Sequence, residues 1–165
     1  MRAAEVVEQF GSSYAAQLGI DIGSGRSAEI YKWFLAAVLF GARISEASAI
    51  HTYREFERAG VLSSRKILDA GWDKLVAILD RGGYTRYDFK TATKLMNVNR
   101  ALMEQYGGDL NALHQRSKDA SDLEKRLKRL GKGIGGVTVN IFLRELRGIW
   151  SKAAPLPSAR EVGML

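Results

Sequence analysis

Cysteine is absent from this sequence. Disulfides, thiolate zinc sites, iron–sulfur clusters and a cysteine nucleophile are excluded with it. Two histidines are too few for a His-rich metal site, so neither a metal nor a cofactor is expected. Proline is nearly missing too: Pro155 and Pro157 are the only two, both near the C-terminus. Strand-like alternation is scarce, and long apolar runs are lacking. The most apolar stretch, "WFLAAVLFGA" (Trp33–Ala42), suits a buried helix and is too short to span a bilayer. The first residues, "MRAAEVVEQF", contain no apolar signal core, so no membrane association is expected and the expected compartment is cytoplasmic, nucleoid-associated in a prokaryote.

What the chain has in excess is positive charge. Twenty-five Lys and Arg against 18 Asp and Glu give a formal charge of +7 and a pI near 9.8. That balance favours a polyanionic partner. Seventeen glycines punctuate segments of helical length. Apolar spacing predicts helices over Ala3–Gln17, Ala28–Ala42, a segment capped by Ser45, Ser64–Ala70, Trp72–Asp80, Phe89–Tyr106, a turn over Asp109–His114, a segment capped by Ser121, and Val137–Trp150. The expected fold is all-α, one multi-helix domain over residues 1–150 with a C-terminal tail over 151–165. Met96 and Met103 fall at core spacing, and His51 reads as a helix-surface residue.

Two glycine-rich stretches raise the question of phosphate binding. "GIDIGSGRS" (Gly19–Ser27) resembles nucleotide loops, but those follow a buried strand; here it reads as a loop between helices. "GKGIGG" (Gly131–Gly136) is not a P-loop, because the G-x-x-x-x-G-K-[ST] order is absent. It reads as a tight turn between two helices. Backbone N–H groups of Gly133, Gly135 and Gly136 would converge at the positive end of the following helix. Lys132 adds a full charge, and Thr138 follows.

"GIGGVTVNIFLREL" resembles the helix–hairpin–helix of the endonuclease III type DNA glycosylases, the HhH-GPD superfamily. Gly133, Ile134, Gly135, Thr138 and Val139 occupy the family's motif positions. Phe34–Phe56 and Leu75–Leu110 are similar to two further family segments, in the same order. The resemblance implies a helical DNA-binding fold and a DNA phosphate site at Lys132, Gly133, Gly135, Gly136 and Thr138. It also implies a base-contacting loop within "DRGGYTRYDF", with Arg81, Tyr84, Arg86 and Tyr87 as stacking and phosphate-holding candidates. The family's nucleophilic lysine position is Val137 here, and its aspartate position falls at Pro155. No family acid lies in "LAAVLFGA". The expected partner is therefore DNA, damaged or mismatched duplex included, with catalysis lost or altered. The alternatives are a monofunctional glycosylase using Asp88, Asp80 or Glu46 as its acid, and a helical protein-interaction module.

Overall fold

The computed structural model describes residues 14–153, and every regular element among them is helical. The expected helix over Ala3–Gln17 lies largely outside the described residues; only 14–17 are seen as helix. Of the expected tail, residues 151–153 form a short 3-10 turn and the rest lies outside. "GIDIGSGRS" contains a 3-10 turn over Ile22–Ser24 and joins helical segments, as read.

Helix α1 (Ser27–Phe40) is the axis of the fold. Ile30, Tyr31 and every residue from Trp33 to Leu39 are buried. A helix apolar on all sides must be enclosed by others. Helices α2 (Glu46–Ala59), α5 (Leu110–Arg116) and α7 (Gly136–Arg144) pack directly on it. Helix α3 (Ser64–Gly82) lies between α2 and α4 (Asp88–Tyr106), and α6 (Ala120–Lys128) leads into α7. The sequence division of α3 is real: Gly71 has φ 83° and breaks the helical path between its two halves. No helix among the described residues is long and apolar enough to cross a membrane.

Three boundaries differ from expectation. Ser121 lies inside α6; the cap is Asp119, whose carboxylate accepts from the Asp122 N–H at 2.8 Å. Asp caps as well as Ser does, and it comes first in the chain. Ser27 begins α1 as a helical residue, with Arg26 before it. The last helix stops at Arg144, short of Trp150, with turns over 145–149 and Gly148 at φ 89°.

Buried polar side chains stitch the helices together. Tyr31 Oη donates to Asn99 Oδ1 at 2.6 Å, and Ser64 Oγ donates to the same oxygen at 2.9 Å. Trp33 Nε1 donates to the Phe142 carbonyl at 3.1 Å, fixing α7 on α1. Tyr84 Oη donates to the Leu39 carbonyl at 2.6 Å. That carbonyl belongs to the last turn of α1, where carbonyls run out of in-helix N–H donors.

Just beyond it, Gly41 lets α7 approach. A methyl group there would overlap the Thr138 hydroxyl. The Gly41 backbone is right-handed helical, a conformation alanine adopts freely. Gly41→Ala should therefore destabilise chiefly through the Thr138 contact, with a tighter approach to the Ala37 carbonyl beside it, by about 1–3 kcal/mol as overpacking does. Melting should fall by roughly 2–4 °C per kcal/mol for a chain of this length. Adding Thr138→Ala should restore most of the loss in a double-mutant cycle. Simple additivity of the two losses would refute the contact.

Candidate nucleic-acid interface

The turn between α6 and α7 is built on α4. Ile134 anchors it in the core at 4% exposure, and its N–H donates to the Gly131 carbonyl at 3.1 Å. Gly133 has φ 97°, a left-handed conformation that glycine takes without strain. The aliphatic stem of Lys94, from α4, lies over it: a methyl group on Gly133 would meet Lys94 Cε at 2.9 Å. Gly135 precedes α7 in an extended conformation and supplies no side-chain cap. The first N–H groups of α7 are thus left facing outward at the positive end of the helix. Gly135 and Gly136 are exposed, and a methyl group on either would meet nothing within 4 Å. Lys132 is exposed beside them, with no ion pair among the described residues.

Four of the five expected phosphate-site residues therefore share one exposed turn. Thr138 does not: it is 3% exposed and packs inward against Gly41. Val137 stands out from the first turn of α7 at 66% exposure.

The expected base-contacting loop divides more sharply. Tyr84 is fully buried, and its hydroxyl is bonded to α1, so it offers no stacking face. Burial also raises its pKa. Arg81 is tied to Glu55 of α2, Nε to Oε1 at 3.3 Å, and Glu55 also holds Arg58 and His51. Arg86 is exposed, and Tyr87 is half-buried. The exposed aromatic is Phe89, at 61%, on the first turn of α4. Its ring lies 5.1 Å from that of Trp72, which is 37% exposed and donates to Thr93 Oγ1. Phe89 opens the helix expected over Phe89–Tyr106, and its spacing to Ala92 and Met96 is that of a core stripe. At the first position after an N-terminal residue, the helical phase is poorly fixed, which is why the pattern misled.

The candidate acids behave differently from one another. Glu46 opens α2 and is hydrogen-bonded to Tyr14, whose pKa it raises. Asp80 and Asp88, on α3 and α4, meet across the loop and share a hydrogen bond. That bond, with burial and the Asp88 charge, raises the Asp80 pKa. Asp88 also accepts from the Phe89 N–H at 2.7 Å. No cluster of three or more His, Asp or Glu side chains among the described residues is arranged to hold a metal ion. No protein-family model, curated protein or solved structure matches the chain.

A carboxyl with a raised folded-state pKa binds more protons folded than unfolded. Stability then falls as pH rises from the ordinary aspartate range near about 4 through the folded value. Asp88→Asn should remove the repulsion and offer an amide donor to the ionised Asp80 carboxylate, flattening that fall. Carboxyl-carbon NMR titration of Asp80 should move back toward the ordinary range in the variant. An unchanged Asp80 titration would show that the pair is not coupled.

Proposed function

We propose that this protein binds DNA, gripping backbone phosphate at the α6–α7 turn without reading sequence, and that it favours distorted or damaged duplex. The observation that carries the reading is the exposure of Gly133, Gly135 and Gly136 at the uncapped start of α7, with Lys132 beside them and without an ion pair among the described residues. A backbone able to approach closely, a helix N-terminus and free cations are the components of a phosphate grip. The net charge of +7 agrees with it. The resemblance to the HhH-GPD glycosylases supports the same site. With Val137 in the position of the resembled family's nucleophilic lysine, no imine would form through that residue.

Recognition of an unstacked base needs an accessible aromatic surface. Phe89, backed by Trp72, is that surface, with Tyr87 and Arg86 adjoining in sequence. Tyr84 is not part of it.

Titration against plain and abasic duplex at several salt concentrations separates the two halves of the reading. Lys132→Ala should weaken both duplexes alike and lower the salt slope by about 1. Gly135→Val should weaken both further while melting like wild type, because the backbone there is extended and a Cβ meets no protein atom within 4 Å. Phe89→Ala should leave plain duplex nearly unaffected and cut the preference for abasic DNA by about 1–3 kcal/mol. Gly135→Val binding like wild type would overturn the phosphate grip. Equal binding of both duplexes by the wild type would overturn damage recognition. No salt-dependent binding at all would leave the protein-interaction reading.

The second reading, an active monofunctional glycosylase, is favoured by the Asp80–Asp88 pair, since a carboxyl whose pKa is raised by a neighbouring carboxyl is shifted in the direction a general acid needs. Base release from damaged duplex, abolished by Asp80→Asn, is its test.

A further inference from the structure

Beside the hairpin turn, a recess of about 170 Å³ is lined by Gly41, Ala42 and Arg43 after α1 and by Tyr87, Lys90, Thr91 and Lys94 at the start of α4. Three of its seven lining residues are cations, and none is a carboxylate. Lys90 and Lys94 are one turn apart on the same face of α4. None of the three cations has an ion pair among the described residues. Thr91 is 4% exposed, and its hydroxyl has no hydrogen-bond partner among them, although buried hydroxyls ordinarily do. Thr52, for comparison, donates to the Ser48 carbonyl at 2.7 Å. Burial, and then the Lys90 charge, lower the Lys94 pKa, so an anion placed here would relieve a standing cost. The volume is below the roughly 300–1,000 Å³ of sites for drug-sized molecules. It suits a small, highly charged group.

We propose that this recess is a receptor for a phosphate monoester dianion, held by Arg43, Lys90 and Lys94 with the Thr91 hydroxyl donating. A bridging diester carries one negative charge; a terminal phosphate carries up to two, which is the better match to three cations. The recess adjoins the hairpin grip through Lys94, whose stem lies over Gly133, but its other ligands, Arg43, Lys90 and Thr91, lie outside that turn. Two sources supply such a group: a phosphorylated strand end and a free phosphate ester.

Pyridoxal phosphate is the probe, since it carries both an aldehyde and a phosphate monoester. The Lys94 or Lys90 amine adds to the aldehyde carbon, water leaves, and borohydride reduces the imine to a stable secondary amine. Peptide mapping of the full chain should find the label at Lys94 or Lys90 ahead of the more exposed lysines. Pyridoxal lacking the phosphate should label these positions far less, and inorganic phosphate should protect them. Protection by a 5′-phosphorylated oligonucleotide well beyond its 5′-hydroxyl counterpart assigns a strand end; protection by inorganic phosphate alone assigns a free ester. Thr91→Val, which keeps the shape and removes the hydroxyl, should raise the protecting phosphate concentration about tenfold. Labelling that follows exposure, that is as strong with pyridoxal, or that phosphate does not protect overturns the proposal. Because Gly135→Val leaves the recess intact, labelling of that variant should match wild type even where its DNA binding is lost.

Discussion

The surface of this protein is organised by the C-terminal end of α1. That helix is enclosed on all sides, so its position is set by the core. Its last turn then sets what surrounds it. The Tyr84 hydroxyl bonds the Leu39 carbonyl and fixes the loop between α3 and α4. The Thr138 side chain presses on Gly41 and fixes the start of α7. Gly41, Ala42 and Arg43, the residues that follow, form one wall of the cationic recess. Hairpin turn, aromatic edge and recess are thus referred to a single buried point. A rigid scaffold under short loops is the usual way to hold a binding surface in register.

This explains why two residues expected at the surface are inside. Tyr84 and Thr138 carry polar groups, and as sequence they read equally well as ligands for a nucleic acid. In the fold each meets the end of α1. Tyr84 supplies a short second donor to a carbonyl at a helix end, beside the Ala42 N–H at 3.3 Å. Thr138 fills the space that Gly41 leaves. Neither role has a signature within a few residues of its own position, because both depend on a segment some 40 or more residues away in the chain. By contrast, the turn at Gly133–Gly136 was legible: its signal is local, a matter of glycine spacing between two amphipathic stretches. The all-α class, the Ser45 cap and the break at Gly71 were legible for the same reason.

The recess was not legible at all. Arg43 and Lys94 are ordinary-looking charges in sequence, 51 positions apart, and only packing of α4 against the end of α1 brings them to one cavity. Lys94 is the connecting element, with its stem over Gly133 and its chain in the recess wall. A long side chain of this kind buries its methylenes while its ammonium stays near polar space. Arg81 makes the opposite case. It reads as a free guanidinium in a loop, yet Glu55 holds it against α2.

The distribution of charge around the hairpin also accounts for Val137. A lysine in the first turn of α7 would place a cation at the positive end of the helix, which is unfavourable by about 0.3–1 kcal/mol. Such a cost is sustained where the amine has chemistry to perform there. In this chain the first turn of α7 carries no charge at all, and positive charge reaches the turn from outside the helix. Lys132 comes from the preceding chain and Lys94 from α4. The helix N-terminus is left unopposed as an anion site, and the cations stand beside it. An apolar side chain is compatible with this position because the positive charge near the turn stands outside the helix.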